Sequence, residues 1–578
     1  MDDAALTARP AACEAQIRHQ RGPLLPALAA AVLCAALASP KAARAQGAAG
    51  VCPRELAWAA AYAARNYAGY ADKVTPATRP AYDALLDTLG AAARGASDGA
   101  ACDTVLARWT AFFRDRHLSA GRRGPGAGGD AAPAEPSAGV VRARFAAWPR
   151  VALDEAAARA RLAALGPARD PLEGIWESPP YRVAVLRDSL LPTSPDAAVA
   201  GGAAASDAPA FAPPAFTMVV LRADSAWWTP GQVKARFSAA ALDIPLGAAP
   251  DGAGGAYRAR FFLRDHTPGA DSARVARNVL VVGSSARGRR FVWVRRWPVL
   301  PGDLDSTALA AAVPGAGFAA RELAPGTVLV RVPTFGDTRA MDSLVAAEGD
   351  RIRAAERLVI DVRGNGGGAD YNYRFFRPLL YTQPVREVHS RVLATGDNLR
   401  AWRAMVDDGR MTNAQRAEYQ ATTADLERGR ARARAAGQGD WVDRPDETHT
   451  EPAVLPRPRL VAVLVDRGCA SSCEQFLLEA RQSRKTALYG EPSLGVLDYS
   501  NVRAAAAADA SAAAPPVAGS TLVLHYPTTR SKRLPAEPVD NVGIPPAVPV
   551  PPSVVLPVEW VRRHLEASGA QGGRLPAR

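Results

Sequence analysis

Residues 459–476, Arg-Leu-Val-Ala-Val-Leu-Val-Asp-Arg-Gly-Cys-Ala-Ser-Ser-Cys-Glu-Gln-Phe, constrain this chain more than any other stretch. Leu460 to Val465 is a continuous, valine-rich apolar run, the pattern of a fully buried strand. It stops at Gly468-Cys469-Ala470-Ser471, and Glu474 to Glu479 then opens a helix. Ser471 falls at or near a helix N-terminus, where unpaired N–H groups and the positive dipole end favour negative charge. A hydroxyl there has two uses. It caps the helix, as most serines before helices do, or it attacks a carbonyl whose oxyanion the N–H groups stabilise.

A second segment, Arg357 to Gly368, is another short buried strand running into Gly364-Asn365-Gly366-Gly367-Gly368. Consecutive glycines let the backbone turn several N–H groups toward an anion. Gly364, Gly366 and Ala369 also fit the G-x-G-x-x-G/A dinucleotide fingerprint, with Glu387 at the spacing of a ribose-binding acid. A lone match of that kind carries little, and the charged pair Asp361 and Arg363 is unusual at the end of a Rossmann first strand.

Together the two segments resemble the S41 peptidase family, the C-terminal-processing and tricorn-core-like serine proteases. The glycine strand-turn reads Asp361-Val-Arg-Gly-Asn-Gly-Gly-Gly, and Ala470-Ser471-Ser472-Cys473-Glu474 follows some hundred residues later. Gly490-Glu491-Pro492-Ser493-Leu494-Gly495 matches the family's G-E-x-T-x-G element, and Val539-Asp540-Asn541-Val542-Gly543-Ile544-Pro545 its late V-E-N-x-G element. The resemblance implies that Ser471, three residues before Glu474, is the nucleophile. It also implies an α/β protease core of the ClpP/crotonase-like ββα spiral kind.

The chain departs from the family where the general base is concerned. Processing proteases place a lysine after G-E-x-T-x-G, but Val496 stands there, and none of the five lysines (Lys41, Lys73, Lys234, Lys485, Lys532) falls at the dyad position. A serine hydroxyl still needs a base within hydrogen-bond reach. The tricorn-like branch uses a histidine in an N-terminal D-x-H segment, which Phe113-Arg114-Asp115-Arg116-His117-Leu118 resembles. The resemblance makes His117 the base and Asp540, one methylene shorter than the family's glutamate, the acid that orients it. It also puts an oxyanion hole at the N–H groups of Gly366 or Gly367 and of Ser472. A serine that the branch carries before the histidine is Arg116 here.

Other chemistry ranks lower. Gly95-Ala-Ser-Asp-Gly99 spells G-x-S-x-G but has no buried strand before it, so it is not a nucleophile elbow. The histidines His266, His389, His449, His525 and His564 are scattered singly, without ligand spacing, and no H-E-x-x-H occurs. The reading therefore assigns no metal and no cofactor. The net charge of +13 is dispersed along an arginine-rich chain without the aromatic-interleaved basic stripe of a nucleic-acid binder.

At 578 residues the chain is long enough for more than one core. Arg18 and Arg21, the apolar run Leu24 to Ala38 and Ala43-Arg44-Ala45 have the order of a signal peptide, expected over 1–45. Export to the periplasm or the extracellular space follows from that reading. The run is too short, and Pro26 interrupts it, for a membrane span. Cys52, Cys102, Cys469 and Cys473 lie beyond the cleavage point. In an oxidising compartment Cys52–Cys102 is a candidate staple. Cys469 and Cys473 are either a bridge around Ser471 or two buried thiols.

Helical spacing marks residues 52–120 as a helical region, with a Gly/Pro/Ala-rich linker expected over 121–170. Residues 171–300 turn to strand patterns, interrupted by an Ala/Pro/Ser-rich stretch from Pro192 to Pro214 that reads as disordered. This β-rich region carries no G-L-x-x-G-D-x-I signature of a PDZ module and reads as a small antiparallel sheet or barrel. Residues 305–565 alternate strands and helices as an α/β core, with a helical insertion at about 395–437. Two functions remain open. One is an exported serine endopeptidase acting on protein or peptide; the other is a catalytically silent S41-like module that binds peptides or apolar ligands.

Overall fold

The computed structural model describes residues 50–123, 137–192, 215–223, 227–239, 254–283, 290–306, 308–309, 313, 317–406, 411–551 and 554–570. The leader expected over 1–45, residues 193–214 and most of the Gly121–Gly139 stretch lie outside them.

The sheet that carries both glycine turns has six strands. In spatial order they are Ala319–Ala324, Thr327–Arg331, Arg357–Asp361, Leu460–Val465, Thr486–Gly490 and Val548–Pro549. The first pair is antiparallel and every later pair is parallel. Helices Thr338–Ala354 and Ser472–Ala480 cover one face, through Met341, Leu344, Ile352, Phe476 and Leu477. Helix Pro557–Ala570 covers the other, through Val558, Val561 and Leu565 against Leu329, Val359 and Leu464. Strands covered on both faces need apolar side chains at every position, which is why Leu460–Val465 is buried throughout.

A five-stranded sheet lies beside it. Its long strand Leu522–Ser531 pairs with Ser119–Arg122, Ser390–Leu393 and Tyr499–Ala506. Helices Val51–Asn66, Arg79–Arg94 and Gly99–Phe112 pack onto this sheet through Trp58, Tyr62, Leu89 and Trp109, against Leu524 and Tyr526. Cys52 and Cys102 are bridged, joining the first and third of these helices with a Cα–Cα distance of 5.6 Å.

Between these helices and the six-stranded sheet in chain order comes a closed antiparallel barrel of eight strands, running from Gly174–Ser178 to Arg290–Trp297, with Ile175 pairing with Trp297 to shut it. Trp176, Phe216, Met218, Phe237 and Trp293 fill its interior. The expected linker over 121–170 is more structured than its composition suggests, since helices Ala138–Arg144 and Glu155–Ala164 form there. The Asp154 side chain caps the second by accepting from Ala157 N–H at 2.7 Å. Ala158 and Leu162, one turn apart, then bury against Ile175, Ala184 and Leu186 of the barrel. At about 395–437 the chain forms two helices, Gly396–Val406 and Asn413–Ala435.

Lys234 is buried within the barrel, its ammonium 3.9 Å from the Trp228 ring centroid and 4.4 Å from that of Tyr181. It donates to the Phe262 carbonyl at 3.3 Å, and burial pulls its pKa down to about 7. Between that value and the ordinary 10.5 the unfolded chain holds a proton that the folded chain has lost. Stability therefore rises with pH across the window. Lys234→Met is expected to melt at a higher temperature than the native protein at pH 6, with the gap narrowing by pH 10. An equal gap at both pH values would show that Lys234 is not held against its charge.

Candidate active site

Ser471 stands where the buried strand Leu460–Val465 has turned and the helix Ser472–Ala480 begins. Its backbone is left-handed, φ 57°, a conformation that side-chain-bearing residues seldom adopt and that the surroundings must hold. Three contacts hold it. The Ser471 N–H donates to the Val496 carbonyl at 3.0 Å and to Glu474 Oε2 at 3.1 Å. Cys469 and Cys473 are bridged across the turn, with a Cα–Cα distance of 5.4 Å.

Glu474 is buried and gathers four donors: Ser471 N–H, Gly495 N–H at 2.7 Å, Val496 N–H at 2.8 Å and the Ser493 hydroxyl at 2.5 Å. Burial raises its pKa, and those four donors oppose the rise. The same Ser493 oxygen accepts from Ile544 N–H at 2.7 Å. One carboxylate thus joins the nucleophile turn to the Gly490–Gly495 element and, through Ser493, to the late Val539–Ile544 element.

The glycine turn packs directly on Ser471. A Cβ on Gly367 would lie 2.6 Å from the Ala470 carbonyl oxygen and 2.9 Å from Ser471 Cβ, and its φ is +95°. Only glycine fits. Asn365, fully buried, shapes this turn from within: Oδ1 accepts from Gly367 N–H at 2.9 Å and Phe335 N–H at 3.2 Å, and Nδ2 donates to Val332 at 3.1 Å. Its carbonyl receives Ala470 N–H at 3.1 Å. The Gly367 N–H is therefore already engaged. The Gly366 and Ser472 N–H groups meet no acceptor among the described residues. Asp361 is clamped by the Arg363 guanidinium at 2.7 and 2.9 Å; against the cost of burial, Arg363 holds its carboxyl below the usual range.

His117 comes from the loop between helix Gly99–Phe112 and strand Ser119–Arg122. Its N–H donates to Asp115 Oδ1 at 2.8 Å, and Asp115 Oδ2 accepts from the Tyr67 hydroxyl at 2.7 Å. The imidazole Nδ1 lies 2.5 Å from the Tyr499 carbonyl oxygen. A carbonyl only accepts, so Nδ1 carries the proton and Nε2 keeps its lone pair. This differs from the expected Asp540 contact. Asp540 Oδ1 instead accepts from Leu497 and Asp498 N–H groups, each at 2.7 Å. Asp498 returns the gesture, its Oδ2 accepting from Val539 and Asp540 N–H groups at 2.8 Å. The shorter aspartate is satisfied by the neighbouring backbone, leaving a main-chain carbonyl to face the imidazole. Asn541 Nδ2 also donates to the Arg114 carbonyl at 3.0 Å, fastening the late element to the histidine loop.

The segment Gly495–Tyr499 is where these parts converge. Its Val496 carbonyl holds the Ser471 backbone, and three residues later its Tyr499 carbonyl holds His117. The Tyr499 carbonyl was invisible to sequence reasoning because any residue supplies one. Glu387, the candidate ribose acid of the dinucleotide fingerprint, lies in strand Val385–Glu387 and contacts His449 at 2.6 Å. No helix among the described residues is long and apolar enough to cross a membrane.

Residues 326–549, which carry the glycine turn, the Ser471 turn and the late element, match the profile described as Peptidase family S41. Over that stretch the chain is similar to that peptidase family. Among solved structures it is similar to mature CPAF at 11% identity, covering 92% of this chain and 99% of that one with a TM-score of 0.43. It is also similar to the photosystem II D1 C-terminal processing protease at 14% identity, covering 87% and 94%, TM-score 0.31. A third similar structure is a putative peptidase from Parabacteroides merdae at 13% identity, TM-score 0.29. That match covers 44% of this chain and 66% of the other, just under two thirds. No curated protein sequence matches it.

Two predictions test the geometry. Gly367→Ala is expected to destabilise the folded protein by at least about 1–3 kcal/mol, through backbone strain and the clash with the serine turn; a urea melt matching the native one would refute this. The second concerns pH. Burial, with the charges of Asp498 and Asp115, pushes Asp540 up to about 7 against the pull of its two N–H donors. The folded chain then binds this proton more tightly than the unfolded chain, so stability falls as pH rises from about 4 to 7. Asp540→Asn keeps the accepting oxygen but cannot ionise. It is expected to melt above the native protein at pH 8 and level with it at pH 4.

Proposed function

We propose that this protein is an exported serine endopeptidase in which Ser471 attacks the peptide carbonyl and His117 is the general base. The observation that carries the reading is the Gly495–Tyr499 segment, which fastens the Ser471 backbone at one end and His117 Nδ1 at the other. With Nδ1 donating to Tyr499, Nε2 is the atom that takes the Ser471 proton and returns it to the leaving amine. Water then hydrolyses the acyl-enzyme by the same route. The Gly366 and Ser472 N–H groups are the oxyanion donors in this reading, at the start of a nine-residue helix whose positive end adds to them. Gly367 contributes closeness rather than its N–H.

Asp540 acts in this scheme as a positioning residue. Its carboxylate and that of Asp498 bind each other's backbone, holding the carbonyl of Tyr499 under the imidazole. The parallel sheet with helices on both faces supports a ClpP/crotonase-like core over residues 305–565, and the barrel supports a separate β-rich domain over 171–300. Substrates are proteins or peptides. The second reading, a silent peptide-binding module, draws on Val496, whose side chain is buried where processing proteases place lysine.

A fluorophosphonate probe separates the two. The mature chain is expected to form one covalent adduct at Ser471, abolished by Ser471→Ala and reduced by about 10²-fold or more in rate by His117→Ala. Labelling that survives Ser471→Ala, or no labelling at all, would remove the peptidase mechanism and leave the binding module.

A further inference from the structure

The strands Val385–Glu387 and Glu447–His449 form a small antiparallel ribbon in which Glu387 stands directly opposite Glu447 and Val385 opposite His449. Glu-x-His occurs twice, as Glu447-Thr448-His449 within one strand and as Glu387-Val388-His389 running off the end of the other. Side chains two apart on a strand share a face, and opposed residues of an antiparallel pair do too. The donor atoms of Glu387, Glu447 and His449 all lie within 4.8 Å of one another. His449 Nε2 is 2.6 Å from Glu387 Oε2, and His389 Nε2 is 3.0 Å from Glu447 Oε1.

Two features of this cluster call for a cation. Like charges directly opposite on a ribbon repel, and here the opposed pair is two glutamates. The His389 Nε2 atom is fully buried and makes no hydrogen bond, although it faces Glu447 at 3.0 Å. Facing a carboxylate oxygen at that distance the nitrogen carries a proton, which a bound metal would displace. Arg377 offers partial relief, at 3.4 Å from Glu387, but its guanidinium is committed to Glu479 at 2.9 and 3.0 Å. Arg444 stands 3.9 Å from Glu447 on the outer side.

The geometry points to a divalent transition-metal site of the zinc class, ligated by Glu387, Glu447 and His449, with His389 adjoining it through Glu447. Two carboxylates balance a 2+ charge, and imidazole nitrogen with carboxylate oxygen is a donor set that zinc accepts. Bonds of about 2.1 Å in a tetrahedron put ligand atoms about 3.4 Å apart. The His449–Glu387 pair opens by less than an ångström when its shared proton leaves. Half-exposed Glu447 gives the ion a way in.

The placement says what the metal does. The two strands are the entry and exit of the excursion that carries helices Gly396–Val406 and Asn413–Ala435. An ion there clips the base of that excursion shut. Arg377 and Glu479 connect the clip to helix Ser472–Ala480, which follows Ser471, so it braces the candidate active site from behind. The two Glu-x-His pairs lie sixty residues apart in the sequence, which is why each histidine read as solitary.

The test uses the mature chain, stripped with a chelator and titrated with Zn2+ alone. Elemental analysis after dialysis is expected to find one zinc per chain, with a rise in melting temperature. Glu447→Gln, at the exposed ligand and least disturbing to the fold, is expected to weaken binding at least about tenfold, and His389→Ala with His449→Ala to abolish it. Zinc retained by the double histidine variant would overturn the proposal. So would variants that lower the melting temperature equally with and without zinc, the signature of an ion-pair cluster only.

Discussion

Glu474 places a carboxylate where four donors meet and where burial would otherwise forbid it. An unsatisfied buried carboxylate costs far more than a surface one, and each donor left without it would cost about 1–3 kcal/mol. The bonds are therefore interdependent. Ser471 keeps its left-handed backbone because Glu474 and Val496 hold its N–H; Val496 is held because Glu474 takes its own N–H. Remove the carboxylate and the serine turn and the Gly490–Gly495 element lose their common acceptor, and the Ser493 hydroxyl that receives Ile544 N–H loses the partner that orients it. The Cys469–Cys473 bridge and Asn365 close the same turn from the other side, so the nucleophile's geometry is fixed on both flanks.

Much of this was legible in the chain, for reasons that differ by element. The strands Arg357–Asp361 and Leu460–Val465 announce themselves because both faces are covered, which demands unbroken apolar runs. The barrel was readable as sheet or barrel from its alternating segments, but closure depends on Ile175 meeting Trp297 more than a hundred residues away, which no local pattern encodes. The helices within 121–170 were missed because alanine and glycine dominate the surrounding composition, while two buried side chains and one aspartate cap sufficed to order Glu155–Ala164.

The site divides along the same line. Side-chain chemistry tied to a motif (Ser471, Glu474, the glycine turn) could be placed from sequence, and His117 through its Asp115 neighbour. Backbone chemistry could not. The partner of His117 is a carbonyl at Tyr499, and the Asp540 carboxylate spends itself on two N–H groups, contacts that any sequence permits. Pairing across distance was equally hidden, as the Val385–Glu387 and Glu447–His449 strands show.

Val496 draws these strands together. Its side chain is buried, yet its N–H and carbonyl each bind a different part of the nucleophile turn, so the position works through its backbone. In the proposed mechanism the proton-accepting role has moved to a residue whose loop belongs to another sheet. Catalysis by this route depends on docking the N-terminal helices, which a dyad within the core would not require. The structure invests in that docking. The Cys52–Cys102 bridge ties the helices together, and Arg122 reaches from the strand after His117 to Glu55 at 2.7 and 2.8 Å. The Tyr499 hydroxyl donates to Asp72 at 2.7 Å, while its carbonyl holds the imidazole. Tyr499 thus binds the N-terminal region with its side chain and the candidate base with its backbone, so a shift of those helices would be felt at His117 before it reached Ser471.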